Sequence, residues 1–426
     1  MMTGKRIVIT TFGSLGDLHP AIALGLGLKA RGHHVSIAVN EFYRRKIEPE
    51  GLEFYPIPPE RENRDPALIE RILDPKIGAQ TVICELVLSF VRETYSNLMQ
   101  ATQDADLLIS SDFVFAAPLL AEKTGIPWVS YLLSPSSFFS LYDPPRLSGF
   151  ANLPQLPVLE RALNRAVLQL ARLSTARWLQ PIRQLRQELG LPPGNHPLFE
   201  DKYSPHLVLG IFSSVLGKPQ PDWVSQAQIT GFAFYDRLVP EQKLSAELAD
   251  FLGSGSPPVV FTLGSAVVRR AGNSYTESLK AVKVLGCRAV FLVGVEEFEN
   301  ELPPLPDGTI AVDYAPFSEL FPRAAAIVHQ GGVGTTAQAL RAGVPMLIVP
   351  YAFDQPDNAA RVVRLGIALQ IPRESYRCDR AVTALHQLLS NPTYKTIAQS
   401  VKERVDAEDG VQSACDAIER TFFKLM

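Results

Sequence analysis

The 426-residue chain reads as α/β, built from two doubly wound, Rossmann-like domains in tandem. Three observations predict this. The N-terminus opens as strand, glycine turn, helix and strand; the same grammar restarts in the second half; and the length exceeds what one hydrophobic core usually supports. Ile7 to Thr11 is a short apolar run ending in Phe12-Gly13-Ser14-Leu15-Gly16-Asp17. A helical stretch from Pro20 to Ala30 follows, then Gly32 and a second strand, Val35 to Val39. Leu107 to Ser110 and Trp128 to Leu132 continue as strands, joined by a helix from Ala116 to Lys123. In the second half Val259 to Leu263 is a strand ending in Gly264-Ser265. Ala289 to Val293, Thr309 to Val312, Ala324 to Val328 and Met346 to Val349 extend that sheet. Lys218 to Asp222 and Gly253 to Pro258 carry the proline, glycine and serine of linkers and loops. The boundary is set between residues 235 and 236, and the last helix, Val411 to Phe423, lies in a separate C-terminal segment, 409–426.

Composition narrows the function classes. With 46% hydrophobic and 20% charged residues the chain is globular, and a net charge of −3 offers no basic surface for nucleic acid. Cys84, Cys287, Cys378 and Cys415 lie far apart, without a CxxC or zinc-ligand pattern, and read as buried thiols of a reducing compartment. Lys5-Arg6 lead straight into a strand rather than a signal peptide, and no apolar run reaches the roughly 20 residues of a membrane span. A soluble, cytoplasmic protein is expected.

The most informative stretch is Val328-His329-Gln330-Gly331-Gly332-Val333-Gly334-Thr335-Thr336. It lies between the apolar run Ala324 to Val328 and a helix expected over Ala337 to Arg341, where a parallel α/β unit turns from strand to helix. Glycines let backbone N–H groups approach a ligand, and a helix start carries partial positive charge, so such a turn suits phosphate. A second polar cluster, Asp354-Gln355-Pro356-Asp357-Asn358, follows the next strand. One turn can hold a diphosphate while the other offers a carboxylate and an amide to sugar hydroxyls. Together they point to a nucleotide-sugar.

The run Tyr314-Ala315-Pro316, then His329 to Thr336, Gly343-Val344-Pro345 and Asp354-Gln355 resembles the donor signature of the inverting UDP-sugar-dependent glycosyltransferases. That family comprises two facing Rossmann-like domains (GT-B architecture) with a cleft between them. The resemblance spans roughly the whole chain and is strongest from Asp313 to Leu369. It implies an acceptor-binding domain over 1–235, a donor-binding domain over 236–408 and a C-terminal helix, 409–426, returning to the first domain. It implies that Tyr314 stacks on the uracil, that backbone at Ala315 meets the base edge, and that His329 donates to a phosphate oxygen. Gly331, Gly332, Val333, Gly334 and Thr335 supply the turn, Gly264 and Ser265 one further donor, and Asp354 and Gln355 the hexose contacts. No acidic pair resembling a DxD metal site is evident, so UDP-sugar is expected as co-substrate with no metal and no cofactor. Val333-Gly334 and Ala337 stand where plant members carry Asn-Ser and Glu, which leaves Gln338 as the candidate ribose contact; with Phe317 after the Ala-Pro pair, the pattern is closer to bacterial and sterol-type members.

Inverting transfer needs a general base for the acceptor hydroxyl. The resemblance places it at Asp17, three residues before Pro20, with His19 as rival; Asp17 also suits a helix N-cap. Asp112 occupies the position that orients the catalytic histidine in plant relatives: it would hold the tautomer of His19, or titrate jointly with Asp17. Phe138, Phe139 and Tyr142 are candidates for an apolar acceptor pocket, or for a core edge. Val158 to Leu189 interleaves arginines with leucines at helical spacing, broken near Pro181. Its expected state is a domain helix with the apolar face turned inward; peripheral contact with an anionic membrane is the alternative, suited to a lipid-like acceptor.

The expected activity is therefore transfer of a hexose, glucose by preference, from a UDP-sugar to a small, largely apolar hydroxyl acceptor. A dTDP-deoxysugar (rhamnosyl) transferase, a nucleotide-sugar epimerase and a non-catalytic nucleotide-sugar binder are the alternatives. A dinucleotide dehydrogenase would need glycine at Leu15 in its G-x-G-x-x-G turn, and that glycine is absent.

Overall fold

The computed structural model describes residues 4–60, 65–146, 157–236, 244–264, 273–294 and 303–423. The chain forms two compact units: one runs through Tyr235, apart from Ser14–Gly16, and includes the C-terminal segment from Asp409; the other spans Asp236–Glu408 and takes in that tripeptide.

In the first unit β1 (Arg6–Thr10), β2 (His34–Val39), β3 (Glu53–Pro56), β4 (Leu107–Ser111), β5 (Trp128–Leu132), β6 (Val208–Gly210) and β7 (Ala227–Ile229) form one sheet in the order β3-β2-β1-β4-β5-β6-β7. Every pairing is parallel. β4 and β5 are buried along their whole length, as strands covered by helices on both faces must be. The helix α1 (Leu15–Ala30) begins five residues before the expected start, so that Pro20 lies inside it. Proline lacks the N–H that would close the turn onto the Gly16 carbonyl, which made it look like a first-turn residue from sequence. The C-terminal helix, Gly410–Phe422, packs on α1: a side chain at Gly27 would meet Val411 Cγ1 at 2.5 Å, and Arg31 binds both Asp416 and Glu419 at 2.6 Å.

The second unit repeats the design with β8 (Val259–Thr262), β9 (Ala289–Leu292), β10 (Thr309–Val312), β11 (Ala326–His329), β12 (Met346–Ile348) and β13 (Ala368–Gln370), in the order β10-β9-β8-β11-β12-β13 and again all parallel. Phe261 and Phe291 stack at 4.5 Å across β8 and β9 in its core. α2 (Val333–Ala342) starts four residues earlier than expected, because Gly332 takes the cap position in extended conformation and the glycine-threonine run forms the first turn. α3 (Gln355–Arg364) follows β12.

In each sheet the strand order reverses at one place, between β1 and β4 in the first unit and between β8 and β11 in the second. Open parallel sheets bind ligands beyond the carboxyl ends of the strands at that reversal. The segments there are 11–13, Asp17 and Asp112 in one unit, and Leu263-Gly264 and 330–336 in the other.

Candidate functional site

In the second unit the site is built from the end of β11. His329 has no exposed surface; its Nδ1 accepts the Gly331 N–H at 3.1 Å, which assigns the ring proton to Nε2. Nε2 is buried and has no hydrogen-bond partner among the described residues. Burial pushes the imidazole pKa down to about 3, so the ring is a neutral donor near pH 7. Gly331 has φ +88°, and a side chain there would meet Ile348 Cγ2 at 2.9 Å and the Gln355 carbonyl oxygen at 3.1 Å. Gly332 leaves α2 without a side-chain cap, and the first intrahelical bond runs from the Thr336 N–H to the Gly332 carbonyl. The N–H groups of the first turn are thereby left to an incoming acceptor, at the positive end of the helix.

Gln330 is a further residue of this turn, one that sequence order alone does not mark. Its amide lies over both Gly264 and Gly332, where added side chains would come within 2.2 and 2.8 Å of its Nε2, and its buried Oε1 has no partner among the described residues. Ser265, expected as a further donor, lies outside the described residues. Tyr314 presents a ring that is 55% exposed beside the buried Ala315, which leaves a face open for stacking. Gln338, the candidate ribose contact, donates from Nε2 to Asp236 at 3.4 Å, and its Oε1 is buried without a partner among the described residues.

The second polar cluster is tied to the first by Asn358, a fully buried residue on α3. Its Nδ2 donates to the Gly331 carbonyl at 3.0 Å and to Asp354 Oδ2 at 2.7 Å, fixing the carboxylate relative to the glycine turn. Gln355 is almost fully buried, and its Oε1 accepts the N–H groups of Tyr351 and Ala352 at 2.8 and 3.1 Å. Its carbonyl end therefore holds the loop rather than standing open. Phe353, just before Asp354, has φ +60° and a 43% exposed ring.

In the first unit Asp17 is the third residue of α1, so it lies within the first turn and is not the helix N-cap. Its carboxylate folds over Gly13, φ +136°, where a side chain would approach Oδ2 to 2.2 Å. His19 is half-buried and packs against the Tyr235 ring at 5.2 Å. Asp112 has Lys202 as an ion-pair partner, 3.6 Å away and almost fully buried. The Thr11, Ser111 and Tyr131 hydroxyls are buried close together, and Ser111 and Tyr131 are register partners on β4 and β5. Burial raises the Tyr131 pKa, and the charges of Asp17 and Asp112 raise it further, so both carboxylates act on the same phenol.

Among the acceptor candidates, Phe138 belongs to the core: its ring stacks on Trp223 at 3.8 Å and 8°, which leaves little of it for a ligand. Phe139 is half-buried with φ +50°, and Tyr142 is 48% exposed with the Arg161 guanidinium 5.4 Å above its ring. The basic region forms helices Pro157–Thr175 and Gln180–Glu188, with Pro181 in the first turn of the second. The apolar residues of the first divide between two faces: Val167, Leu168 and Ala171 are partly buried, whereas Leu170 and Leu173 are 66% and 73% exposed. No described helix is long and apolar enough to cross a membrane. The four cysteines are unpaired, and only Cys415 is buried, the other three being partly exposed.

The chain matches two family descriptions, the glycosyltransferase family 28 N-terminal domain over residues 7–137 and the erythromycin biosynthesis protein CIII-like C-terminal domain over residues 289–417. It is 33% identical over 423 residues to O-mycaminosyltylonolide 6-deoxyallosyltransferase of Streptomyces fradiae, covering 97% of both chains. It is 28% identical over 443 residues to a sterol 3-beta-glucosyltransferase of Candida albicans, of which it spans 28%. Among solved structures, the glycotransferase of kitacinnamycin shares the fold with a TM-score of 0.74 at 22% identity, over 99% of this chain and 100% of that one. The chain belongs to the GT-B family of nucleotide-sugar-dependent glycosyltransferases.

Proposed function

We propose that the protein transfers a hexose, glucose by preference, from a UDP-sugar to a hydroxyl of a small, largely apolar acceptor, with inversion and without a metal. One observation carries the donor half of this reading: the neutral His329 keeps a buried Nε2–H unpartnered beside a helix start that holds its own N–H groups free. A diphosphate satisfies both, and the same donors stabilise it as a leaving group when the glycosidic bond breaks. Tyr314 would stack on the base, and the Asp354 carboxylate, held by Asn358, would take sugar hydroxyls.

Asp17 is the proposed general base. It would take the proton of the acceptor hydroxyl as the oxygen attacks the anomeric carbon in line with the departing diphosphate. The same charge acts on the Tyr131 phenol, which lies on the edge where Asp112 also acts. The outward leucines and the arginines of the helix Pro157–Thr175 would suit an anionic lipid surface if the acceptor is lipid-like.

The competing donor is a dTDP-deoxysugar; the Streptomyces fradiae relative is a 6-deoxyallosyltransferase. Incubation with UDP-glucose or a dTDP-6-deoxyhexose, chelator and a panel of phenols, sterols and macrolactones tests the proposal. A β-linked product from the α-configured UDP-glucose supports it. Retention of configuration, or dependence on added magnesium, would overturn the mechanism; turnover with the dTDP-sugar alone would overturn the donor.

A further inference from the structure

We propose that Lys202 is a positioning residue that ties the Asp112 carboxylate to the loop carrying Phe139 and so sets the shape of the acceptor subsite. The inference rests on assigning the acceptor to the first unit. Lys202 is 5% exposed, deep burial for a residue whose ammonium normally stays in water. Burial lowers its pKa while Asp112 pushes it back up.

The ammonium meets groups from separate segments. It lies 3.6 Å from Asp112 Oδ2, just past the end of β4, and donates to the Ser137 carbonyl at 2.6 Å in the loop after β5. It also stands over the rings of Phe139 at 4.8 Å and Tyr203 at 5.3 Å. Tyr203 donates its hydroxyl to the same Ser137 carbonyl at 3.2 Å.

The loop so held contains a strained residue. Phe139 has φ +50°, a conformation unfavourable for a bulky residue that persists where its surroundings over-determine it. Lys202 below its ring and Phe199 edge-on at 4.8 Å are those surroundings. A salt bridge alone needs only one carboxylate. A lysine that also grips a backbone carbonyl and an aromatic ring fixes the distance between carboxylate and ring.

The test compares Lys202→Met, Lys202→Arg and the charge-neutral double variant Lys202→Met/Asp112→Asn with the wild type. The double variant guards against a simple folding defect, since removing both charges relieves the unpaired, partly buried carboxylate. Amide hydrogen exchange over residues 135–142 should rise at least about tenfold in Lys202→Met, with residues 329–336 unchanged, and Lys202→Arg should restore part of the protection. On whichever acceptor of the phenol, sterol and macrolactone panel the wild type glycosylates, the acceptor KM should rise at least about fivefold while UDP affinity stays put. The double variant should recover thermal stability without recovering the KM. Unchanged exchange in Lys202→Met, or recovery of both stability and KM in the double variant, would overturn the inference. A wild type that glycosylates nothing in the panel would instead count against the functional reading, and the exchange data would still decide the role of Lys202.

Discussion

The carboxyl edges of the two sheets solve different problems with the same strand-to-helix turn. At the end of β11 the donors on offer are neutral and, among the described residues, unsatisfied: the His329 Nε2–H and the uncapped N–H groups of α2. At the ends of β1 and β4 the groups are charged, with Asp112 paired to a buried lysine and Asp17 folded over Gly13. A neutral donor nest suits an anion that must arrive and then leave with more charge, whereas a carboxylate edge suits removal of a proton. Each edge also holds a phenylalanine at positive φ, Phe353 in one and Phe139 in the other. The comparison teaches that the repeated fold supplies the position and the side chains divide the labour.

The largest expected effect breaks the carboxylate side. Asp17→Asn should lower turnover by about 100-fold or more with nucleotide affinity within about twofold of wild type, measured by steady-state kinetics beside calorimetry. Full activity in that variant would pass the base role to His19. Smaller, and on the neutral side, His329→Ala should weaken nucleotide binding about 10- to 100-fold, the worth of one hydrogen bond to a charged group. Tyr314→Ala should cost about 2- to 10-fold in the same titration, since an open stacking face is worth less.

The neutral side should also show in stability against pH. The His329 pKa is depressed from 6.5 to about 3, so the unfolded chain takes up a proton that the folded chain refuses. The stabilisation is present above about 6.5 and is lost as pH falls towards 3; His329→Gln should flatten that part of a denaturation-against-pH series. Smallest of all, Leu173→Ser on the exposed face of the helix Pro157–Thr175 should change stability by no more than about 0.5 kcal/mol. A loss of several kcal/mol there would mean that the face is covered in the folded protein.

The same contrast explains what could be read from the sequence. The donor turn is one continuous segment after an apolar strand, so His329, Gly331 and Gly332 were identifiable from order alone. The partner of Asp112 was not, because Lys202 comes from a loop far along the chain and nothing local marks it for burial. Pro20 and the threonines after Gly334 misled the helix starts, since first-turn residues carry loop chemistry while adopting helical dihedrals. β6, β7 and β13 are three residues each, too short for a periodic pattern, and β3 is only partly buried. Phe138 reads from sequence as an aromatic in a proline-rich loop, and only the fold places Trp223 against its face.

The most direct test of the central claim is calorimetric titration of wild type and His329→Ala with UDP in the presence of chelator. The account predicts metal-free binding by the wild type and a drop of about 10- to 100-fold in the variant. Equal affinity in the two proteins, or no binding of UDP to either, would contradict it.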